Sequence, residues 1–286
     1  MCIEWFITKP RSCSISYSIL YSIPHKCHPN KYNSFNHILL LHQVLEFFDK
    51  EFASRTPFLV NFYSQENQLD LFDADATAIT IKARLTFNNF ESLDLSGNVL
   101  VDVELAKLLR NMWKVDEMEL DEKGRCKQRI LMKKLVLEAV ELGSTSMLVL
   151  SRLMEKGFFP KLEHLNLGNN SLNSQGVDYL LNPLRRHCLP LLRELYIPLN
   201  NFYAEGLLLI TASQTLGTFD TLEIFDMSDC GCNNDALSLF ARAVVLKFRE
   251  GKLVLKKMRI FGMHPYAGKS ARVMFPEEFL KKIAVS

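Results

Sequence analysis

Long apolar runs and an excess of charge of one sign are both missing from this sequence. No stretch of about 18 uncharged apolar residues occurs, so the sequence predicts no membrane-spanning helix. Lysine plus arginine number 34 and aspartate plus glutamate number 32, which leaves a formal net charge of +2. Binding to nucleic acid requires a concentrated basic surface, so we expect no nucleic-acid partner.

Paired cysteines are also missing. The chain has 7 cysteines, an odd number, and no C-x-x-C pair, so the sequence predicts no disulfide framework. His25, Cys27 and His28 lie close together but do not match the ligand spacing of a closed zinc site. We therefore expect a reducing compartment, cytoplasmic localisation and no bound metal.

Motifs of common catalytic sites are missing as well, since neither G-x-S-x-G nor H-E-x-x-H occurs. The segment GMHPYAGKS from Gly262 is the nearest match to a phosphate-binding loop, but one residue too many separates its glycines. The sequence therefore predicts no catalytic residues, no cofactor and no enzymatic activity.

What the sequence does contain is a repeat. Leu162, Leu192 and Leu222 are spaced by 30 residues, and each is followed by apolar residues three, five and ten positions later. The same step leads back to Met132, and one more unit begins at Phe90, 42 residues before Met132. The first residue of each of these five units is called position 1.

The second half of each unit has the apolar spacing of an amphipathic helix. Position 16 is Leu105, Met147, Val177, Leu207 and Leu237, position 19 is Leu108, Leu150, Leu180, Ile210 and Phe240, and position 23 is Met112, Met154, Leu184 and Val244, with Gln214 as the exception. Each unit is therefore predicted to form a strand, a turn, a helix and a return loop. Stacking of neighbouring units creates the core, because one unit cannot bury its own apolar face.

These units resemble leucine-rich repeats of the ribonuclease-inhibitor type, whose signature is L-x-x-L-x-L-x-x-N/C-x-L. The segments LEHLNLGNNSL from Leu162, LRELYIPLNNF from Leu192 and LEIFDMSDCGC from Leu222 carry the resemblance. It implies an α/β solenoid with a curved parallel sheet on the concave face and helices on the convex face. It also implies that the usual activity is binding another protein. We expect a monomer that acts as a protein-binding scaffold.

The two ends of the chain have weaker patterns. A sixth strand near Leu255 and a short closing helix over residues 276–283 are expected to complete the repeat domain, residues 90–286.

At the amino-terminal side, residues 34–89 are predicted to form a cap that begins with an amphipathic helix from Ile38 to Phe52. Leu69 and Leu71 are candidates for a divergent first strand. Residues 1–33 show no periodicity and are expected to be disordered or loosely attached, and a targeting role for them stays open.

The predicted register names the side chains that face away from the core, because alternate strand positions point to opposite sides of a sheet. Candidate partner-binding residues on this face are Asp94, Lys134, His164, Asn166, Glu194, Tyr196, Asp226, Lys257 and Arg259. Tyr196 and His164 are the strongest candidates for anchors of an interface. The charge is predicted to change sign along the sheet, from Glu163, Glu194, Glu223 and Asp226 in the middle to Lys256, Lys257 and Arg259 at the end.

Position 9 is predicted to have a structural role in the turn after each strand. It is Asn98, Asn170, Asn200 and Cys230 in four of the units. We expect the asparagine amides to point inward and to bond backbone groups of the turn.

Residues 113–129 are an insertion after the first helix, acidic in VDEMELDEKG and basic in RCKQR. The sequence predicts a charged hairpin or loop with Gly124 in a tight turn. A solvated surface loop and a second binding element both remain open for it.

The resemblance leaves two alternative functions. Ran GTPase-activating proteins have the same repeat type and act through the turns after the strands, but these turns here hold Gly97, Asn98, Asn169 and Asn200 and no arginine. Actin-filament capping in the manner of tropomodulin involves a similar short repeat block closed by a carboxyl-terminal helix.

Overall fold

The structure is a computed structural model that describes residues 7–8, 16–17, 58–61, 90–97, 101–113, 119–127, 129–260 and 274–285. The strands are β1 (Ile7–Thr8), β2 (Ser16–Tyr17), β3 (Phe58–Asn61), β4 (Phe90–Asp94), β5 (Lys134–Val136), β6 (His164–Asn166), β7 (Glu194–Tyr196), β8 (Ile224–Asp226), β9 (Lys257–Arg259) and β10 (Ala284–Val285). The helices are α1 (Asp102–Trp113), α2 (Ser144–Glu155), α3 (Ser174–Arg185), α4 (Tyr203–Thr215), α5 (Asn234–Arg249) and α6 (Glu277–Leu280).

One sheet organises the fold. Strands β3 to β10 follow one another across it in chain order, and every neighbouring pair is parallel. From β4 to β10 a helix joins each strand to the next, while β1 and β2 form a separate antiparallel pair. The predicted α/β class and the predicted repetition of strand–helix units are confirmed.

The register between strands follows the spacing of the repeat. Leu135, Leu165, Leu195 and Phe225, which all occupy position 4, face one another across four strands. Backbone bonds continue beyond the strands, since the Leu137 amide donates to the Asn166 carbonyl at 2.8 Å and the equivalent Leu167 amide donates to the Tyr196 carbonyl at 2.8 Å. The predicted register is therefore confirmed from the Phe90 unit to the strand at Leu255.

The core lies between the sheet and the helices. Every residue predicted at positions 16 and 19 is buried there, together with the inward-facing strand residues at positions 4 and 6, such as Leu165 and Leu167. At position 23, Met154, Leu184 and Val244 are buried. Because each helix packs against the next helix along the chain, the apolar surface is shared between units instead of being enclosed by any one of them.

The turn after each strand has the same backbone conformation in all five units. Position 8 lies in the left-handed region, with φ values of 74° at Gly97, 55° at Ala139, 51° at Asn169, 53° at Leu199 and 55° at Asp229. In that conformation the position 8 amides of the first four units donate to carbonyls of the next unit. For example, the Asn169 amide donates to the Pro198 carbonyl at 2.8 Å. The turn therefore extends the inter-unit hydrogen bonding past the end of the strand.

At position 9, Asn170 and Asn200 tether their turns to the preceding ones. The Asn170 amide group is buried, accepts from the Val140 and Leu142 amides at 3.0 Å each, and donates to the Leu137 carbonyl at 2.6 Å and the Leu167 carbonyl at 3.0 Å. Asn200 repeats the arrangement 30 residues later. These two side chains satisfy backbone groups that would otherwise be buried without partners.

Cys230 takes the same place in the next unit, where its buried thiol lies 3.3 Å from both the Ile197 and the Ser228 carbonyl oxygens and shares its one hydrogen between them. Burial raises the pKa of this thiol far above its ordinary value. Asn98, the fourth predicted turn residue, lies outside the described residues.

The amino termini of α2, α3 and α5 are capped by side chains, in two ways. In α3 and α5 the preceding asparagine, Asn173 or Asn233, accepts an amide three residues later at 2.9 Å, which is the usual capping bond. In α2 the capping position is Gly143, which has no side chain. The carboxylate of Asp102, from the preceding unit, instead accepts the Gly143, Thr145 and Ser146 amides at 2.9 Å each, and it also accepts the Ser146 hydroxyl.

The ends of the sheet differ from the predictions. The strand beside β4 is β3, at residues 58–61, whereas Leu69 and Leu71, the residues predicted for it, lie outside the described residues. At the other edge the predicted closing helix is present as α6, with Phe279 and Ile283 buried, but the chain then adds β10 beside β9. Both missed strands are short, and a few residues carry too little periodicity to be distinguished from loops.

Several other predictions concern residues outside the described ranges. They are the cap helix from Ile38 to Phe52, the segment from Gly262 that partly matches a phosphate-binding loop, and the predicted disorder of most of residues 1–33. Among the described residues, no helix combines the length and apolarity that crossing a membrane requires.

Gln214 is the one polar side chain at position 23 of a unit. It is 1% exposed, and neither its amide nitrogen nor its amide oxygen has a hydrogen-bond partner among the described residues. It borders a small cavity lined mainly by apolar side chains, including Phe219, Phe240 and Met258. An amide in this environment destabilises the fold, because it lost its bonds to water and gained none in return.

We predict that Gln214→Leu stabilises the protein by about 1–2 kcal/mol, since it removes the unbonded amide and restores an apolar residue of similar size. Urea denaturation would measure the change. Leu184→Gln, the reciprocal substitution at the same position of the preceding unit, is the matched control and should be destabilising. A lower midpoint for Gln214→Leu would contradict the prediction.

We also predict that Asp102→Ala destabilises the protein by about 1 kcal/mol at neutral pH, because three amides of α2 lose their cap. Burial alone would raise the pKa of Asp102, but the hydrogen bonds from Ser146 and Thr145 outweigh it and lower the pKa. The stabilisation is therefore present above the ordinary pKa of an aspartate and is lost as the pH falls through the lowered value.

Urea midpoints of wild type and Asp102→Ala should consequently differ at pH 7 and converge in strong acid. Asp235→Ala removes an exposed acid from the first turn of α5 and serves as the control. An equal loss in both variants would show that Asp102 acts only through the helix dipole.

Candidate functional site

The side of the sheet that faces away from the helices brings all nine predicted partner-binding residues together. The strand register sets Lys134, His164, Glu194 and Lys257 in one row across the sheet and Asp94, Asn166, Tyr196, Asp226 and Arg259 in the next. Neighbouring parallel strands lie about 4.8 Å apart, so adjacent members of a row can contact one another. We call this side of strands β4 to β9 the outer sheet face.

His164, Glu194 and Tyr196 form a bonded cluster at the centre of the outer sheet face. A single oxygen of Glu194, Oε2, lies 2.8 Å from His164 Nδ1 and accepts a hydrogen bond from the Tyr196 hydroxyl at 3.0 Å. The His164 and Tyr196 rings are tilted by 37° with centroids 5.0 Å apart. All three side chains remain partly exposed, so the cluster presents two rings and a carboxylate in fixed positions.

The hydroxyl of Tyr196 is held in its protonated form. Partial burial and the hydrogen bond to Glu194, together with the charge of that carboxylate, raise the pKa of Tyr196 to about 12. The phenol is therefore a neutral hydrogen-bond donor throughout the physiological pH range.

Asn166 forms a second contact between strands. Its Nδ2 donates to Glu138 Oε2 at 2.8 Å, and its Oδ1 accepts the Gly168 amide at 2.9 Å. Glu138 follows β5 and lies on the same face, so it belongs to the site although the predicted set omits it. Its position 7, one of the outward-facing positions, is the sequence signal that identifies it.

Asp226 contributes to the outer sheet face only indirectly. Its side chain is 5% exposed, and one carboxylate oxygen accepts both the amide and the hydroxyl of Ser228. The other oxygen accepts Arg259 Nη1 at 3.1 Å. A partner can reach the half-exposed Arg259, which Asp226 orients, more readily than it can reach Asp226 itself.

The predicted change of charge along the sheet is partly neutralised within the molecule. Position 2 alternates in sign, from Lys133 and Glu163 through Arg193 and Glu223 to Lys256. Glu223 accepts Arg193 at 2.7 Å and Lys256 at 2.5 Å, and these two hydrogen bonds lower its pKa. With Asp226 also paired, two of the four acids predicted for the middle of the sheet have cation partners from neighbouring units.

The inserted segment is a tight hairpin over its described part. Leu120 and Cys126 form an antiparallel bridge, Gly124 has a φ of 70°, and Asp121 accepts the amides of Lys123 and Arg125. The hairpin is anchored to the end of α2, because the buried Cys126 donates its amide to the Lys156 carbonyl at 2.7 Å. Residues 114–118 and 128 lie outside the described ranges.

Within the described ranges, no group of three or more histidine, cysteine, aspartate or glutamate side chains is arranged to hold a metal ion. The nine predicted residues comprise two rings, one amide and six charged side chains, of which Asp226 and Arg259 form an ion pair.

No protein-family model matches the chain, and no curated protein is significantly similar to it.

The raised pKa of Tyr196 leads to a spectroscopic prediction. Above the ordinary tyrosine pKa the folded protein should still hold this phenol neutral, and the associated stability is lost only as the pH rises toward about 12. A difference titration of tyrosinate absorbance between wild type and Tyr196→Phe would isolate the residue. If the tyrosine lost in Tyr196→Phe titrates near pH 10, the bonded cluster is contradicted. Tyr179→Phe provides the comparison for a tyrosine on the helical side.

Proposed function

We propose that this chain is a protein-binding module, built as a leucine-rich repeat solenoid of the ribonuclease-inhibitor type, and that the outer sheet face is its binding surface. The parallel strands in chain order, the alternating helices and the inward amides of Asn170 and Asn200 support the repeat assignment. The spacing of the inward-facing residues agrees with them.

The dimensions of the two layers support a concave sheet. Neighbouring parallel strands lie about 4.8 Å apart, whereas packed helices lie about 8–10 Å apart. Each strand alternates with one helix, so the helical side of the stack is longer than the strand side. The stack then bends with the strands on the inside, and the outer sheet face becomes the inner wall of the curve.

The observation that carries the binding proposal is the cluster of His164, Glu194 and Tyr196. Its hydrogen bonds fix both rings before any partner arrives, and ordering of side chains is a major cost of association. Tyrosine is among the residues most often found at the energetic centre of an interface. Lys134 is exposed and Lys257 is half-buried, and both add positive charge to the row that contains His164 and Glu194.

We also infer that the protein acts as a monomer in the cytoplasm. The four described cysteines, Cys126, Cys188, Cys230 and Cys232, are free thiols, which suits a reducing compartment. No observation on the described residues favours GTPase activation or actin capping over binding of another kind of partner.

The proposal predicts that His164→Ala combined with Tyr196→Ala reduces recovery of the partner roughly tenfold or more, because both rings of the central cluster are lost. Affinity purification followed by mass spectrometry would identify proteins that wild type retains, and quantification would compare the variants. Thermal unfolding should remain cooperative, since both side chains lie outside the core.

Tyr179→Ala removes a tyrosine from the helical side and is the matched control, for which recovery should not change. Equal recovery of the partner by wild type and the double variant would show that the outer sheet face is not the binding surface. Loss of recovery in the Tyr179→Ala control alone would place binding on the helices instead.

A further inference from the structure

Two large side chains are exposed where the turn after β7 leads into α4. Leu199 is 52% exposed and Tyr203 is 57% exposed. They occupy positions 8 and 12 of the unit that begins at Leu192. The two neighbouring units place polar residues at both positions, Asn169 with Asn173 and Asp229 with Asn233. The apolar pair therefore belongs to this unit and not to the general requirements of the repeat.

The backbone makes this choice of residues unfavourable for folding alone. Leu199 has a φ of 53° and Tyr203 a φ of 50°, and both angles lie in the left-handed region. Side chains such as leucine and tyrosine are disfavoured there, whereas asparagine and aspartate tolerate it. Residues kept in a disfavoured conformation are concentrated at functional sites.

The pair is held in a rigid frame. The Leu199 amide donates to the Ser228 carbonyl at 2.8 Å and the Tyr203 amide donates to the Cys230 carbonyl at 3.1 Å. The Tyr203 ring covers Gly231, where an added Cβ would lie 2.8 Å from ring carbon Cδ1. The backbone at both residues and the Tyr203 ring are therefore held in place, which lowers the entropy lost when a partner binds.

The pair also continues the outer sheet face. Pro198 is half-buried and lies between Tyr196 on the sheet and Leu199 in the turn. Its ring packs close to the Gly168 backbone of the preceding unit, where an added Cβ would lie 3.0 Å from the ring. Tyr196, Pro198, Leu199 and Tyr203 thus follow one another along a single unit, from the sheet to its rim.

The sequence around Leu199 and Tyr203 carries charge of one sign. Between Arg193 and Arg242 the chain contains no lysine, arginine or histidine, and its acids there are Glu194, Glu205, Asp220, Glu223, Asp226, Asp229 and Asp235. Glu223 and Asp226 are paired with cations from neighbouring units, and Lys252 acts on Asp220 through its charge. Glu194 belongs to the cluster with His164 and Tyr196. Glu205, Asp229 and Asp235 have no cation partner among the described residues, and they lie in the first turn of α4, in the turn after β8 and in the first turn of α5.

We propose that Leu199 and Tyr203 form a rim site that extends the outer sheet face and receives a protein segment in which an apolar side chain is flanked by lysine or arginine. The inference rests on the proposed binding function and specifies the chemistry of its partner. The apolar side chain packs on Leu199 and Tyr203, while the basic residues meet Asp229, Glu205 and Asp235.

Three fluorescent peptides of equal length would test the rim site by anisotropy, one of leucine and lysine, one of serine and lysine, and one of leucine and glutamate. We expect only the first to bind well. Leu199→Asn and Tyr203→Asn should each weaken its binding roughly tenfold. Asp229→Asn should weaken it less and should reduce its dependence on salt.

Leu199→Asn provides a second readout, because asparagine is the residue of the preceding unit at this position. The variant should unfold at a higher temperature than wild type while binding the peptide less tightly, a combination that general unfolding cannot produce. Leu216→Asn, at a leucine that is 73% exposed after α4, is the control and should leave peptide binding unchanged.

Equal binding of the serine–lysine peptide would overturn the rim site, since charge alone would then explain the affinity. Unchanged binding by both rim variants would do so as well. If they leave binding intact while partner recovery still needs Tyr196, the rim site fails and the proposed function stands. A Leu199-dependent dimer in size-exclusion chromatography, without peptide binding, would assign the rim to a second copy and overturn the proposal.

Discussion

No unit of this chain can bury its apolar surface without the next unit, and the other features of the structure depend on that constraint. The strand leucines and the helical stripe of one unit enclose only part of a core, and the neighbouring unit completes it. The backbone bonds that run from the Leu137 amide to Asn166 and from the Leu167 amide to Tyr196 fix how neighbours stack. Once that register is fixed, the outward side chains form rows. The neighbours of each side chain in a row are then residues about 30 positions away in the sequence.

The rows explain which charges are available on the outer sheet face. Glu223 meets Arg193 and Lys256, and Asp226 meets Arg259, because equivalent positions of adjacent units lie within reach of one another. Ion pairs of this kind add little stability where they are exposed, but they remove charge from the surface that a partner sees. The side chains left to give specificity are then the central cluster around Tyr196 and the acids beside Leu199, which lack cations in their own stretch of sequence.

Much of this architecture could be predicted because periodicity survives in the sequence. Apolar residues at positions 16 and 19, such as Leu150 and Leu180, identified the helices, and the spacing of Leu162 and Leu192 set the strand register. Strands β3 and β10 escaped prediction because they are short and lie at the edges, where the repeat pattern weakens. The burial of Asp226 escaped it too, since alternation assigns a side to a residue but does not reveal what covers it. The left-handed backbone at Leu199 is a property of angles, which a leucine in a sequence gives no reason to expect.

The cap that Asp102 places on α2 ties the first two units to each other directly, past the segment inserted between them. Three amides at the start of α2 are bonded to the carboxylate of the preceding unit, and the hairpin is tied at Cys126 to the other end of the same helix. The exposed tip of the hairpin, residues 122–125, can therefore vary in length while the spacing of α1 and α2 stays fixed. The hairpin tip is therefore suited to the grafting of foreign loops, which would add new recognition sequences to an otherwise unaltered scaffold.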